Sequence, residues 1–589
     1  MVEAALPIAP YPSAPLAVVD YDPRWAEAAE RIAAIIHERR PDIPVHHIGS
    51  TSVPGLAAKP VIDIGLDAGD AVTADLRTDI AALGFVRDAG PGAFPDTRPL
   101  FRGGIELDPG SGPALRIHLH VMPRVGRYGR DLPRHLAFRD ALRADPARSD
   151  AYAALKRGIV ASGVDSGLSY SMHKTIFIRD LLADIGEADE PLRPGATIGI
   201  LGGGQLGRML AIAARRLGYR VAVLDPDPTC PASGVADRVV VAGYDNLAGA
   251  RELASGCDVV TYELEHVDAD VVAALDADYD VRPGVYPLRM TQDRLAERRF
   301  LIAAGAPVAP WREVRSLDDL RVAAAELRAE AGDPRAPLRL KAAIGGYDGR
   351  SQVRLVPGDE DEPGGELLAG FTALGGAAAN GLLLELELDF ACELSAIVAR
   401  GADGLSRPFP VTRNRHDHGI LVESVAPAPA PVSALATREA KALAARLAME
   451  LDLVGMLTVE LFLLGDGSLV VNELAPRVHN SGHWTIEGAS TDQFEQHVRA
   501  LAGLPLGAAD LRGAAAMVNV LGTGPRRPAR LSGADRALAD PAVHLHVYDK
   551  REVFERRKMG HVTVVAADPE DALARARAAA EALRWEDEP

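Results

Sequence analysis

M-L-T-V-E-L-F-L-L-G-D-G-S-L-V-V-N-E-L, residues 456 to 474, runs without a break into A-P-R-V-H-N-S-G-H-W-T, residues 475 to 485. Two β-type runs flank D-G, the strongest short hairpin signal. With Asp466 and Gly467 as the two turn residues, Gly465 faces Ser468, and counting outward sets Glu460 directly opposite Glu473. Opposed side chains stand about 4.5–5.5 Å apart at Cβ, where like charges repel. A cation between them is therefore expected. Hard divalent ions take carboxylate oxygens, and Mg²⁺ is typically held by one or two carboxylates with substrate phosphates completing its shell. Two solvated acids on an exposed hairpin are the plain alternative. The residues that follow tip the balance, because Asn472, Arg477, His479, Asn480, Ser481 and His483 place anion donors beside the pair.

Upstream, L-R-L-K-A-A-I-G-G-Y-D-G-R-S-Q, residues 338 to 352, closes a strand with Lys341 and then turns through G-G-Y-D-G. A cation beside a glycine loop suits a lid over phosphates. The loop lacks the G-K-[ST] of a Walker A motif, and a simple glycine turn is its alternative. A-T-I-G-I-L-G-G-G-Q-L-G-R-M-L, beginning at Ala196, reads as strand, glycine turn and helix, the start of a βαβ unit. Gly202, Gly204 and Gly207 form G-x-G-x-x-G with Asp225 about 20 residues on, the pattern of a dinucleotide site. A nicotinamide-dependent dehydrogenase is thus an alternative function, although no hydride-transfer pair stands out downstream.

The 589 residues exceed what one core supports, and 48% hydrophobic residues suit a globular chain. A formal charge of -18 excludes a mainly electrostatic grip on nucleic acid or anionic membrane. The first residues lack a basic start followed by an apolar core, and about 18 apolar residues in a row occur nowhere. A cytoplasmic protein is expected. Cys230, Cys257 and Cys392 lack C-x-x-C spacing and read as buried thiols.

The proline- and acid-rich G-E-A-D-E-P-L-R-P-G, residues 186 to 195, reads as an interdomain linker. Asp22 and Pro23 look like an N-cap and first helical position. The acidic stretch at 357 to 366 is expected to lie on the surface.

Taken together, G-G-G-Q-L-G-R-M-L, G-G-Y-D-G-R, E-L-E-L-D-F-A-C-E-L-S, N-R-H-D-H-G-I-L and N-E-L-A-P-R-V-H-N-S-G-H-W-T resemble the ATP-grasp family of 5-(carboxyamino)imidazole ribonucleotide synthetases, over about 196 to 580. The resemblance implies that ATP and bicarbonate form carboxyphosphate, whose carboxyl group passes to the exocyclic amine of aminoimidazole ribonucleotide, leaving ADP and phosphate. An ATP-grasp ligase for another acceptor is a further alternative. By motif, Arg289 and Lys341 would hold ATP phosphates, Lys341 also acting catalytically. Glu385 and the Leu388 backbone would meet adenine and Glu393 the ribose, with His416 and Asn472 as further nucleotide contacts. Glu460 and Glu473 would bind Mg²⁺, and Arg477 would stabilise carboxyphosphate with its planar fork. Tyr347, Asp348, His479, Asn480 and Ser481 would line the substrate pocket. Lys550 and Arg557 of H-L-H-V-Y-D-K-R-E-V-F-E-R-R-K-M-G-H would take the 5'-phosphate, and Gln205 would adjoin it. A homodimer and a functional link to the downstream mutase are implied as well.

H-H-I-G-S-T-S-V-P-G-L-A-A-K-P-V-I-D-I-G-L, residues 46 to 66, with R-I-H-L-H-V and Y-S-M-H-K-T-I-F-I, resembles the GrpB-like family of nucleotidyltransferase fold over about 15 to 185. Such enzymes pair a G-S turn, here Gly49 and Ser50, with D-x-D. This chain has Asp63 but Gly65 at the second acid's place, which argues against two-metal chemistry. His118 and His120 alternate on a strand and face one side, as a ligand pair or a structural pair. Lys59, Lys174 and His118 are candidates for a phosphate or nucleotide. A nucleotide-binding module, a degenerate transferase and an assembly partner all stay open.

The expected map is a flexible start (1–14), an α+β GrpB-like domain (15–185), a linker (186–195), a Rossmann-like pre-ATP-grasp subdomain (196–290), an ATP-grasp domain (291–510) and a small C-terminal subdomain (511–589).

Overall fold

A computed structural model describes residues 6–88, 98–107, 114–125, 128–164, 170, 173–188, 190–345, 351–357, 365–374 and 380–586. Tyr347, Asp348 and most of the acidic stretch lie outside the described residues. The chain divides into two compact units, Met1–Glu190 with Ala273–Asp280, and Pro191–Val272 with Val281–Pro589.

Among the described residues the first unit carries a five-stranded sheet of β1 (Val45–Ile48), β2 (Val61–Asp67), β3 (Val86–Arg87), β4 (Leu100–Ile105) and β5 (Leu115–Met122). Their order is β1-β2-β5-β4-β3, with β2 and β5 parallel. Alternation along a strand sends neighbours to opposite faces. Ile62, Ile64 and Leu66 of β2 and Ile117, Leu119 and Val121 of β5 therefore join Trp25, Ile32 and Ile36 in one buried core. Asp63, His118 and His120 are left on the other face. The first helix spans Arg24–Arg39, one residue later than the sequence suggested; Pro23 flanks it and Asp22 accepts the Arg24 N–H at 3.0 Å.

The second unit opens with a parallel sheet of β6 (Thr197–Leu201), β7 (Arg220–Asp225), β8 (Arg238–Val241) and β9 (Val259–Tyr262), in the order β8-β7-β6-β9. The predicted linker is structured from Pro191 on: Leu192 N–H donates to Ala502 O at 2.8 Å, and its carbonyl accepts from the Tyr219 hydroxyl. A second sheet holds β10 (Trp311–Val314), β11 (Leu338–Ala342), β12 (Gln352–Leu355) and β13 (Leu382–Leu386). The helix Leu317–Ala331 packs on it, capped by Ser316 at its start and by Gly332 at φ +69° at its end.

A nine-stranded antiparallel sheet comprises β14 (Phe390–Arg400), β15 (Ser406–Pro408), β16 (Thr412–Asp417), β17 (Ile420–Ala426), β18 (Gly455–Leu464), β19 (Leu469–Ala475), β20 (Ala514–Leu521), β23 (Val543–Val547) and β25 (Lys558–Ala566). Short ribbons pair β21 (Arg527–Pro528) with β24 (Glu552–Val553) and β22 (Leu531–Ser532) with β26 (Arg584–Trp585). Because β17 pairs with β20, the C-terminal strands extend the sheet that carries the glutamate hairpin.

Candidate active site

The hairpin brings the two glutamates together by a route the residue count did not foresee. Leu464 N–H donates to Ser468 O at 2.9 Å, and Gly467, at φ +87°, closes the turn. Leu463 therefore faces Leu469 and Leu461 faces Val471, one residue off the two-residue turn expected from D-G. A bulge at Asn472 then adds the missing residue, and Glu460 stands opposite Glu473 as expected. The Glu460 side chain is largely buried, and burial together with the Glu473 charge raises its pKa. A carboxylate held in that condition fits a divalent cation between the pair.

Strands β14 and β16 complete this corner. Ser395 lies opposite Glu460 and Glu393 opposite Asn414. His416 Nδ1 meets Glu393 Oε2 at 2.6 Å. Burial alone would lower the pKa of His416, but the hydrogen bond to Glu393 and the charges of Glu460 and Glu393 outweigh it and leave it raised. Beneath them Asn414 Nδ2 donates to Ser395 Oγ at 2.7 Å and Ser424 Oγ donates to Asn414 Oδ1 at 2.8 Å, so the platform is internally satisfied.

On the facing sheet Lys341 and Glu385 are diagonal neighbours, since Arg339 is the residue directly across from Glu385. Lys341 Nζ forms an ion pair with Glu385 Oε1, and Arg298 Nη2 approaches Glu385 Oε2 at 2.9 Å. Burial pushes the Glu385 carboxyl up, yet the two cations overcome this and hold it at about 2. Glu297, the neighbour of Arg298, accepts Leu474 N–H at 2.7 Å beside Glu473; burial outweighs the opposing Arg298 charge and drives its pKa to about 8. Neither Glu297 nor Arg298 was singled out by sequence reasoning. Leu388 sits between β13 and β14, in the connection that joins the two sheets. Arg289 pairs with Asp270 at 2.7 Å, half-exposed, on a helix that packs against β19.

The segment after β19 is clamped from behind. Gln493 accepts His479 N–H at 2.9 Å through Oε1 and donates to His479 O at 2.8 Å through Nε2. A Cβ on Gly482 would come within 2.5 Å of that Oε1, so only glycine fits there. His479 places Nδ1 2.8 Å from Ser481 Oγ and Nε2 3.5 Å from Glu460 Oε1, and burial with the Arg477 and Lys558 charges keeps it neutral. Arg477 pairs through Nε with Glu265 Oε2 at 2.7 Å and donates to Val478 O. Asn480 is 6% exposed, yet among the described residues neither amide atom has a hydrogen-bond partner. A buried amide so placed has a donor and an acceptor to offer a ligand.

Family models match this chain in four places: "GrpB protein" over residues 15–184, "Ribonucleotide synthetase preATP-grasp domain" over 195–292, "ATP-grasp domain" over 299–494, and "Phosphoribosylaminoimidazole carboxylase C-terminal domain" over 515–575. N5-carboxyaminoimidazole ribonucleotide synthase of Bacillus subtilis is 42% identical over 378 residues, 64% of this chain and 93% of that protein. The chain belongs to the N5-carboxyaminoimidazole ribonucleotide synthase family. The solved ADP complex of one such synthetase superposes with a TM-score of 0.58 at 40% identity, covering 66% of this chain and 97% of that one. The Aspergillus clavatus enzyme, solved with ADP and 5-aminoimidazole ribonucleotide, gives 0.57 at 30% identity, covering 66% and 98%.

The synthase-family portion uses its first glycine turn differently from a dinucleotide-binding protein. The Glu263 carboxylate accepts Gly204 N–H and Gly207 N–H, both at 2.8 Å, and Asp225 accepts Gly203 N–H at 2.9 Å. The donors that would cradle a pyrophosphate are thus already bound by the chain's own acids, which removes the physical basis of the nicotinamide alternative. The first residue of the helix behind the turn, Gln205, instead accepts from Lys550 Nζ at 2.9 Å, and that ammonium also donates to Lys558 O at 2.6 Å. Arg557 donates to Glu552 O at 2.6 Å and lies over the Phe554 ring. Lys558, not singled out beforehand, is close enough for its charge to act on Glu460.

In the first unit the sheet brings together Asp63, His118 and His120, with Gly49 against the Asp63 carboxylate and Lys59 and Lys174 within reach of its charge. Ser50 begins the short turn of helix behind Gly49.

Proposed function

We propose that the second unit carboxylates 5-aminoimidazole ribonucleotide, using ATP and bicarbonate and yielding 5-(carboxyamino)imidazole ribonucleotide, ADP and phosphate in purine biosynthesis. A bicarbonate oxygen attacks the γ-phosphorus and ADP leaves. The exocyclic amine then attacks the carboxyl carbon of carboxyphosphate, phosphate departs, and the amine gives up a proton. Mg²⁺, the usual metal of ATP-grasp enzymes, would supply charge neutralisation to the phosphates, held by Glu460 and Glu473.

The chain's own residues supply the rest. Lys341 is a fixed cation for the nucleotide phosphates, oriented near the end of its strand by Glu385, which Arg298 holds from its other oxygen. Arg289, one helix away, is assigned to the same phosphates. Glu385, the Leu388 backbone, Glu393, His416 and Asn472 surround the nucleotide. Arg477, aimed by Glu265, meets the charge that develops on carboxyphosphate and its leaving phosphate. The neutral His479, with Asn480 and Ser481, faces the imidazole, and Tyr347 and Asp348, outside the described residues, are assigned to the same substrate. Lys550 and Arg557 take the 5'-phosphate next to Gln205.

One observation carries this reading: two carboxylates opposed across a hairpin, Glu460 largely buried and Glu473 open to solvent, with an arginine four residues beyond the second. Phosphate release from ATP should require both the imidazole ribonucleotide and bicarbonate, and Glu473→Gln should abolish it while the protein stays folded. Release indifferent to the imidazole substrate would favour an ATP-grasp ligase for another acceptor. We further assign the protein to the cytoplasm, as a homodimer whose product passes to a mutase. Among the described residues no helix is long and apolar enough to cross a membrane.

A further inference from the structure

The first unit contains a cluster that the carboxylation reaction does not use. In the parallel register of β2 and β5, His118 lies beside Asp63 and His120 beside Gly65. Gly65 stands where a nucleotidyltransferase has its second acid. A Cβ there would come within 2.9 Å of Leu132 and 3.3 Å of Ile48, so an acid has neither room nor polar surroundings. The ligand lost from β2 is thus replaced by an imidazole one strand over.

The distances are those of ligands around an ion. Asp63 Oδ1 is 3.5 Å from His118 Nδ1 and 3.5 Å from His120 Nε2, too long for good hydrogen bonds. The three ligand atoms lie within 4.8 Å of one another. Donors about 2.1 Å from a tetrahedral ion are separated by about 3.4 Å. Tyr11 OH engages His118 Nε2 at 3.1 Å and its ring stacks on the imidazole, which leaves Nδ1 for the site, as an outer partner does for a metal-bound histidine. The side chains of Asp63, His118 and His120 keep 28%, 16% and 15% exposure, so the cluster is enclosed but open to solvent.

We propose that Asp63, His118 and His120 bind one divalent transition-metal ion, which together with Lys59 and Lys174 receives a phosphate-bearing ligand. Two imidazoles and one carboxylate favour a borderline ion such as Zn²⁺, Mn²⁺ or Co²⁺ over Mg²⁺. A single carboxylate carries too little charge to satisfy a divalent ion and two nearby ammonium groups. An anionic co-ligand therefore strengthens metal binding, and the Gly49–Ser50 turn beside Asp63 gives it a place to sit.

The test is a Co²⁺ titration of the chelator-stripped full chain in excess Mg²⁺, read by visible d–d absorption with and without inorganic phosphate. Wild type should take up one equivalent and bind at least tenfold more tightly with phosphate. Asp63→Asn and His118→Gln/His120→Gln, checked for folding by circular dichroism, should lose the bands, whereas Glu473→Gln should keep them. Absence of bands in wild type, their persistence in the folded histidine variant, a thiolate charge-transfer band reporting cysteine ligation, or no response to phosphate would each overturn the proposal. Synthase activity should be unchanged in the first-unit variants, which separates this outcome from failure of the carboxylation reading.

Discussion

Replacing Glu460 with Gln should stabilise the metal-free protein while destroying its activity. Glu460 and Glu473 face each other across the hairpin at a separation of about 5 Å, typical of directly opposed residues. Two like charges that far apart repel by about 3 kcal/mol at an effective dielectric constant of 20. Glu473 is exposed and screened by water, and His416 and Lys558 offset part of the rest, so relief from burial and from this charge together should come to about 1 kcal/mol, or no more than about 2 °C in melting temperature. The sign with pH follows from the raised Glu460 pKa. A carboxylate harder to ionise in the folded state costs stability as pH rises from its unfolded value, about 4.3, to its folded one. The advantage of the variant should therefore be small at pH 5 and fully developed at pH 8.

Mg²⁺ with ADP should reverse the order. A ligand at 100 times its dissociation constant adds about 2.7 kcal/mol to the wild type, and the variant, lacking one ligand, should gain far less. The assay is a set of thermal melts of both proteins at pH 5, 6, 7 and 8, with and without Mg²⁺–ADP, alongside phosphate release. A variant no more stable than wild type at pH 8 without metal, or equally stabilised by Mg²⁺–ADP, would refute the shared-cation argument.

Arg477→Lys keeps the charge but loses the planar fork that Glu265 aims; substrate-dependent phosphate release should fall about 10²–10³-fold, and a rate within twofold of wild type would remove Arg477 from the chemistry. Glu263→Gln leaves one of two glycine N–H donors without its acceptor and should cost about 1–3 kcal/mol by chemical denaturation, with no gain in nicotinamide binding. The stability lost in His416→Gln should be greatest at pH 6 and shrink as pH rises through the raised pKa of His416, because the protonated imidazole is the form that Glu393 stabilises; a difference flat from pH 5.5 to 9 in thermal melts would contradict the charged pair.

What the sequence made legible was local. The D-G turn, the glycine turn after β6 and the run of mixed polar residues after Glu473 each follow from short-range chemistry, and the structure keeps all three. Even there, the opposition of Glu460 and Glu473 rests on compensation: the turn is one residue longer than D-G suggests, and Asn472 bulges by one. What stayed hidden needs the tertiary fold. Arg298 meets Glu385 87 positions away, and Gln493 reaches back 14 positions to hold His479. The available signals were weak: T-Y-E-L-E puts two acids just past a buried strand, and A-E-R-R sets an acid and a base at a helix start, patterns equally common on surfaces. In the first unit, D-I-G argued against two-metal chemistry and left His118 and His120 as a ligand pair or a structural pair; that they meet Asp63 depends on a register between strands more than fifty residues apart, which is not written in either of them.

The end of β9 ties the first glycine turn to Arg477. Glu263 binds the turn after β6 from beneath, and Glu265, two residues on, holds the Arg477 guanidinium. A single strand end thereby sets both the glycine turn, whose helix begins with the Gln205 that accepts from Lys550, and the arginine assigned to carboxyphosphate. Shifting that strand end by one residue would move Gln205 and the Arg477 guanidinium together. This explains why G-x-G-x-x-G occurs here without a dinucleotide. Glycine at these positions lets the turn close on a carboxylate of its own chain, for a Cβ at Gly202 or Gly204 would come within 2.4 Å or 2.6 Å of Glu263. The motif thus couples substrate position to the arginine, and exchanging Gly204 for alanine should impair carboxyl transfer more than nucleotide binding, raising the Michaelis constant for the imidazole ribonucleotide several-fold while leaving ADP affinity unchanged; a loss confined to ADP affinity would break the proposed coupling.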